Sequence, residues 1–401
     1  MEITKTIKVR LYKPNRNKVE ELRDTLESYS EACNMFIQYL HKQYLEGKNP
    51  SRKMLNGEIY REVRAKTGLP TVLVQNAGDV SIEAMKSYIK KEGEKSVPDF
   101  TGIEAFRLDV RGFKITYNPE KKYHFAISLK LKNRRVTLPL ECSPVHYPYK
   151  LLKEAMDGEW KIRSITVVKK RDGWWVHIPI SREVDVKEIT ANSTPIGVDL
   201  GTVNLAVVSA PDRVKFFSGR EWWHRKRRWR ELRRKLQKEK KYRALKKLKE
   251  KEKQYNIDLA HKISKEIVEI AEQYENPVIV MEDLTNIRDR MDFTREMNYR
   301  NHGWFFRRLQ KFIEYKAKEK GIPVIYLPPN WTSATCPRCG DAHPKNRNRK
   351  KHEYRCQYCG YTLNDDLVGA RNLVRLFKHL ASGYMSDVRG CMTQPVMGEV
   401  W

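Results

Sequence analysis

The sequence lacks the features that would place it in a membrane or in an oxidising compartment. Its 401 residues contain no apolar run of about eighteen, the length a bilayer-spanning helix needs. Met1 leads directly into alternating, strand-like sequence rather than a secretory leader. Cysteine is scarce. Of the seven, four form two Cys-x2-Cys pairs, while Cys33, Cys142 and Cys391 are scattered, a pattern that argues against a disulfide framework and fits a reducing interior. Negative charge is also short: 50 Asp and Glu face 79 Lys and Arg, for a formal net charge of +29. Such an excess repels itself unless a polyanion is bound, so nucleic acid is the leading partner and no membrane association is expected. There is no internal repeat, and the one biased stretch is strongly basic.

Two kinds of order are present along the chain. Residues 2–12 alternate, with Ile3, Ile7, Val9 and Leu11 on one face and Lys5 as the exception whose long stem can carry its charge to water. From Asn15 the period becomes helical through Val19, Leu22, Leu26, Ala32, Phe36, Ile37 and Leu40, and two further helical stretches are expected at about 51–66 and 71–92. Residues 106–183 return to strand character, interrupted by turn residues such as Asn118, Pro119, Asp172 and Gly173. The simplest arrangement is a β-barrel of residues 1–14 and 97–185 with a helical insertion, 15–96, after its first strand. A polar linker, 186–194, precedes a second α/β domain. There, three strands from Ile196 lead to the basic segment 220–274, a buried strand ending at Glu282, a mixed-charge loop at 285–300, a helix, a second buried strand and a last helix from Asn364. The tail, 381–401, has no clear period and is expected to be loosely ordered.

Chemistry is concentrated in two groups of residues. Cys336 and Cys339 are separated from Cys356 and Cys359 by sixteen residues, the spacing of two knuckles around one tetrahedral Zn²⁺, so 336–363 reads as a zinc ribbon. His343 and His352 lie between the pairs, but four thiolates already complete the tetrahedron. The strand and helix order of the second domain is that of the ribonuclease H fold, whose chemistry needs acids at the ends of its first and fourth strands and on its last helix. Asp199, Glu282 and Asp366 occupy those places. Taken singly, each has a plainer reading as a strand-end turn residue, a helix cap or a first-turn acid favoured by the helix dipole. Taken together they form the hard-oxygen cluster that holds two Mg²⁺ or Mn²⁺ ions about 4 Å apart and leaves room for phosphate and water. Asp283 and Asp365 read as solvated neighbours, and Gly369 and Ala370 as small residues that let the last helix approach the sheet.

The motifs IGVDLGTVNLAVVS, VIVMEDLTNI, WTSATCPRCG with CQYCGY, and NDDLVGARNL, spread over 195–375, resemble the carboxy-terminal half of the TnpB nucleases of transposons and the related miniature type V CRISPR effectors. The amino-terminal half agrees in plan more than in sequence. The resemblance implies a multidomain α+β protein: a wedge-like barrel, a helical recognition insertion, and a RuvC-like nuclease domain over 195–335 and 364–380 interrupted by the ribbon. It implies an RNA-guided, metal-dependent DNA endonuclease that cuts double-stranded target DNA next to a short motif. Asp199, Glu282 and Asp366 would be its catalytic residues, Zn²⁺ its structural metal, and a guide RNA from its own locus its partner. A monomer in the complex and a prokaryotic, cytoplasmic, nucleoid-associated setting go with this reading. A miniature CRISPR effector, a repressor that binds without cutting and a DNA-joining transposase are the alternatives. One departure is Val368, where the family commonly has asparagine two positions after the last aspartate, which removes a potential hydrogen bond beside the metal ligands.

Several residues are candidates for nucleic-acid contact. Between 220 and 253 there are 18 Lys or Arg and 5 Glu, so Arg225, Arg227, Arg228, Arg233 and Arg234 are expected to grip phosphates without reading sequence. Trp222, Trp223 and Trp229 could stack on bases or belong to the core. Lys345 and Arg347, in the loop between the knuckles, are expected to guide a strand toward Asp366. Thr71, Gln75 and Asn76 offer hydrogen bonds to base edges.

Overall fold

The computed structural model describes residues 2–91, 96–284, 306–328, 332–348 and 351–382. The expected mixed-charge loop at 285–300, Cys391 and nearly all of the tail lie outside them. The chain divides into two compact units, Glu2–Glu183 and the part from Val184 onward.

In the first unit, β1 (Glu2–Leu11) is followed by helices α1 (Arg16–Leu45), α2 (Glu58–Thr67) and α3 (Thr71–Lys90). The strands β2 (Ala105–Asp109), β3 (Phe113–Tyr117), β4 (Phe125–Lys130) and β5 (Arg135–Glu141) come next. After them stand helix α4 (Tyr147–Met156), β6 (Lys161–Ile162), β7 (Ser164–Lys170) and β8 (Gly173–Glu183). Asn15 caps α1, its side chain accepting from the Lys18 amide at 3.0 Å, and the periodic apolar residues Leu22 to Leu40 are buried as the helical spacing requires. Lys5 is half-buried and carries its ammonium to the Tyr147 hydroxyl, 2.8 Å away.

The expected closed β-barrel is not formed by the described strands. Pairing runs along an open path, β2-β7-β8-β1-β5-β4-β3, with β6 on β8, and β2 and β3 at its ends do not pair. β1 pairs with β8 along most of its length but meets β5 only at Arg10 and Leu11, so the sheet's two halves are joined across a narrow seam. Alternation specifies a buried and a solvated face; it does not specify whether a sheet's edges meet. Helix α4 is a second departure. Pro148 in its first turn and buried Leu151, Leu152 and Ala155 mark a short amphipathic helix inside what reads as a run of strands. Ahead of α2, the segment expected to be helical from 51 forms only a 3-10 turn at Lys53–Leu55.

The second unit contains β9 (Thr194–Asp199), β10 (Asn204–Ser209), β11 (Val214–Ser218), helices α5 (Arg220–Lys238) and α6 (Tyr242–Ala271), and β12 (Pro277–Glu282). Helix α7 (Phe306–Glu319), β13 (Val324–Leu327), the short strands β14 (Arg347–Asn348), β15 (Glu353–Arg355) and β16 (Thr362–Asn364), and helix α8 (Asp365–Ala381) complete it. The main sheet has the order β11-β10-β9-β12-β13, with β9, β10 and β11 antiparallel and β9, β12 and β13 parallel. β12 is buried on both faces. Ile279 and Met281 pack with Ile263 and Ile267 of α6 and Leu309 and Ile313 of α7, while Val278 and Val280 pack with Leu373 and Phe377 of α8. The basic segment is a helical hairpin, turning at Lys240 with φ +53°.

Helix α8 lies directly against β9. A Cβ on Gly197 would fall on the Ala370 carbonyl oxygen, and one on Gly369 would stand 2.9 Å from the Asp199 carboxylate. Gly197→Ala is therefore expected to lower stability by about 2–3 kcal/mol through overpacking of backbone on backbone, measured by urea unfolding of the full chain.

Candidate active site and metal centre

Parallel pairing aligns the carboxyl ends of neighbouring strands, and that alignment brings the first two acids together. Val198 stands opposite Met281, so Asp199 and Glu282, the next residue on each strand, leave the sheet side by side. Asp199 faces away from Ile196 and Val198, toward α8, as the alternation predicts. Asp366 sits in the first turn of α8, which is capped by Asn364; that side chain accepts from the amides of Asp366 and Leu367 at 3.1 and 3.3 Å. The Asn204 amide, at the start of β10, donates to Asp366 Oδ2 at 2.8 Å.

The three carboxyls resist ionisation for stated reasons. Burial pushes Asp199 well above the ordinary carboxylate range, and the charges of Glu282 and Asp366 push it further. Burial also raises Glu282, opposed by a hydrogen bond from the Thr332 hydroxyl and by the Arg347 guanidinium. Asp366 is raised by burial and partly restored by Asn204. Among the described residues, Arg347 is the guanidinium that offsets this cluster. Hard oxygen donors of like charge, gathered from two strands and a helix, fit divalent cations such as Mg²⁺ or Mn²⁺.

Asp365 is not the solvated neighbour its doublet suggests. It is fully buried, accepts from Arg347 Nε at 2.9 Å and faces His352 Nδ1 at 3.5 Å. An acid in a helix's first turn can point outward or inward, and the inward rotamer here is held by the arginine. Arg347 also approaches Asp366, at 3.9 Å, so it turns into the acidic centre rather than out from the ribbon toward solvent. Asp283, by contrast, is exposed.

The thiols of Cys336, Cys339, Cys356 and Cys359 converge, with Cys336 and Cys359 3.7 Å apart and Cys339 and Cys356 3.6 Å apart. Each knuckle closes on a glycine in the left-handed region, Gly340 at φ +82° and Gly360 at +71°. Four sulfurs at these separations fit one tetrahedral Zn²⁺. His343 accepts from the Lys345 amide and His352 faces Asp365, so neither histidine belongs to the thiol cluster. Val368 is fully buried against Cys336, Tyr354 and Cys356, and so fills the ribbon's base.

The other candidates divide. Arg227, Arg228, Arg234 and Lys345 are exposed, as is Thr71 at the start of α3. Arg225 pairs with Glu221 at 2.9 Å and lies over the Tyr255 ring, and Arg233 pairs with Glu252. Asn76 is buried and donates to the Val72 carbonyl and to Asp109 at 2.6 and 3.2 Å, so it cannot reach a base edge. Gln75 is half-buried and accepts from Arg111 at 2.7 Å. Trp222 is core and donates to Asn256; Trp223 donates to the Thr202 carbonyl, and Trp229 packs edge-on against Tyr255. Three residues that touch the acids or the ribbon escaped sequence reasoning: Asn204, Thr332 and Asn372. Asn204 has a local signal, since it opens β10 two residues after the Gly201-Thr202 turn.

Comparison with known proteins came to the same part of the chain. Residues 306–373 match the Cas12f1-like TNB domain, and residues 177–288 match a family described as a probable transposase. A TnpB-like protein of Methanocaldococcus jannaschii is 39% identical over 137 residues, which is 34% of this chain and 47% of that protein. The CRISPR-associated endodeoxyribonuclease Cas12f1 of Sulfoacidibacillus thermotolerans is 28% identical over 241 residues, 56% of this chain and 55% of that one. The chain thus spans about half the length of these two relatives. Among solved structures, the protein of a Cas12f1–sgRNA–target DNA complex matches 93% of this chain and 99% of its own, with a TM-score of 0.69 at 16% identity, a likeness of fold.

Two outcomes test the site's electrostatics and its ribbon. Because the folded state holds Asp199's proton to higher pH than the unfolded chain does, stability falls as pH rises above the ordinary aspartate range. Asp199→Asn, with no magnesium added, is expected to raise the Tm at pH 8 by roughly 2–5 °C, the gain shrinking toward pH 4 in thermal melts across pH. Cys336→Ser is expected to lower bound zinc, measured by elemental analysis, and to open the ribbon amides to hydrogen exchange while β9 and β12 stay protected.

Proposed function

We infer that this chain, which belongs with the TnpB-like proteins, is an RNA-guided, divalent-metal-dependent endonuclease that hydrolyses phosphodiester bonds in DNA. The convergence of Asp199, Glu282 and Asp366 at one end of the sheet carries the inference. The strand order β11-β10-β9-β12-β13 with α8 across it supports a ribonuclease H-like, RuvC-type domain over 195–335 and 364–380, with the ribbon, 336–363, as an insertion. The sheet of 1–14 and 97–185 and the helices of 15–96 would then be the wedge-like and recognition parts. Guide RNA and double-stranded target DNA as partners rest on the likeness to the Cas12f1 complex and on the +29 charge.

The chain's own residues have separable tasks. Asp199, Glu282 and Asp366 would hold Mg²⁺ or Mn²⁺, which when bound supplies Lewis-acid stabilisation of charge on phosphoryl oxygens. Asn204 and Arg347 orient Asp366 from two sides. Exposed Arg227, Arg228 and Arg234 on α5 provide a phosphate-gripping surface. The four cysteines would hold Zn²⁺, and the ribbon so closed would keep Arg347 and its neighbours beside the acids.

The test is a purified complex with its copurifying RNA, challenged with a matched duplex under Mg²⁺. Wild type cuts, and Asp199→Ala lowers the cleavage rate roughly 1,000-fold or more while target affinity stays within about twofold. Cutting by Asp199→Ala at the wild-type rate would remove the site assignment, and binding without cutting by the wild type would favour the repressor reading. The Cas12f1-like TNB match favours one second reading, a miniature CRISPR effector, which the sequence of the bound RNA and the mass of the loaded complex separate from a monomeric transposon nuclease.

A further inference from the structure

Glu282 is held in two ways. Its backbone is fixed by the sheet and by α7: Glu282 stands opposite Leu327, the next amide, Asp283, donates to the Leu327 carbonyl at 2.6 Å, and Gln310 donates to the Glu282 carbonyl at 2.7 Å. Its carboxylate is a different matter. A glutamate places its charge at the end of three rotatable bonds, and the strand backbone limits the rotamers of the first without fixing the outer two. Among the described residues, the hydrogen bond recorded to that carboxylate comes from the Thr332 hydroxyl.

Thr332 lies four residues before the first zinc-site cysteine and is itself buried. Asn372 of α8, also buried, donates both amide hydrogens to this segment, one to the Thr332 carbonyl at 2.6 Å and one to the Thr335 carbonyl at 2.7 Å. Three residues later Arg375 donates to the Cys336 carbonyl at 2.9 Å, and four residues earlier Val368 packs against Cys336 and Cys356. Val368, Asn372 and Arg375 follow the i, i+4, i+7 spacing of a single helical stripe. Asp366, Gly369 and Leu373 occupy another, facing the sheet and the acids. One helix therefore presents a metal-ligand stripe and a ribbon-clamping stripe.

We propose that Thr332 is a positioning residue that orients the Glu282 carboxylate for metal binding, and that Asn372 places Thr332 by clamping the base of the ribbon to α8. The proposal rests on the nuclease reading of Glu282. It gives the ribbon a task beyond its own zinc: the seat that holds the knuckles also orders a carboxylate on a strand remote in sequence. Hydrogen bonds of this kind, from a neighbour to a metal-ligating carboxylate, change metal affinity or activity by about 10–100-fold when lost.

The experiment compares Thr332→Val, which keeps the shape and removes the hydroxyl, with Thr332→Ser, which keeps the hydroxyl, and with Asn372→Ala. Mn²⁺ binding is read by electron paramagnetic resonance titration, alongside zinc content and cleavage rate against Mg²⁺ concentration. Thr332→Val is expected to weaken Mn²⁺ binding about 10-fold or more and to raise the Mg²⁺ needed for half-maximal cleavage to match, with zinc retained. Thr332→Ser stays within about threefold of wild type, and Asn372→Ala shifts in the same direction as Val. Wild-type Mn²⁺ affinity in Thr332→Val, or an equal loss in Thr332→Ser, overturns the proposal while leaving the nuclease reading intact. A wild-type protein that neither binds Mn²⁺ nor cuts overturns both.

Discussion

The contact between α8 and β9 is the constraint on which the candidate centre depends. Gly197 on the strand and Gly369 on the helix have no Cβ; a methyl group at the first would fall on a backbone carbonyl oxygen, and one at the second would crowd the Asp199 carboxylate. With a side chain at 197 the helix would stand off and Asp366 would leave the neighbourhood of Asp199; with one at 369 the Asp199 carboxylate itself would be displaced. The apolar packing on both faces of β12 supports this approach. Burial of Val278, Val280, Leu373 and Phe377 on one side and of Ile279, Met281, Ile267 and Leu309 on the other supplies the free energy that offsets like charges held close together.

Those charges are managed sparingly. Hydrogen bonds reach Asp366 from Asn204 and Glu282 from Thr332, and the Arg347 guanidinium is shared with Asp365, which also faces His352. Full neutralisation by arginines would have made the cluster stable and unable to take up cations. Under-compensation would keep affinity for a divalent ion, at a cost in the stability of the metal-free fold. Arg347 and Thr332 both come from the segment that carries the four clustered cysteines. An insertion between β13 and α8 is thus suited to work on the acidic centre, because its two ends lie beside the sheet's carboxyl edge and the helix's first turn.

What could be read from the sequence follows from what is one-dimensional in a fold. Asp199 beyond a period-2 strand, Glu282 at the end of a continuous apolar run, Asp366 after a capping Asn364 and the paired Cys-x2-Cys spacings are all local patterns, and each marks an element end where side chains gather. Thr332 and Asn372 are polar residues in unremarkable settings whose partners lie 50 and 40 residues away, so no local pattern announces them, and Asn204, although a turn precedes it, meets an acid 162 residues away. The direction of Arg347 is hidden for a related reason. Its neighbours in HPKNRNRKKH are basic, and composition predicts an outward-facing loop, yet tertiary contact with buried Asp365 turns this one side chain inward. The open sheet in place of a closed barrel, and the choice of the core over stacking for Trp222, likewise depend on which surfaces meet.

The same distinction separates the two uses of charge in the second unit. On α5, Arg225 and Arg233 are paired with Glu221 and Glu252, whereas Arg227, Arg228 and Arg234 remain exposed. Residues 227 and 234 are seven apart, so they lie on one side of the helix, away from buried Trp222 and Lys226. Attraction of this surface for a polyanion is long-ranged and falls with added salt, because it acts through released counterions. The buried acids act over a few ångströms, are sheltered from salt and repel the same polyanion unless cations intervene. On the nuclease reading, a nucleic acid held at the basic surface would be admitted to the acidic centre only together with metal, which would make binding separable from reaction by the ion alone.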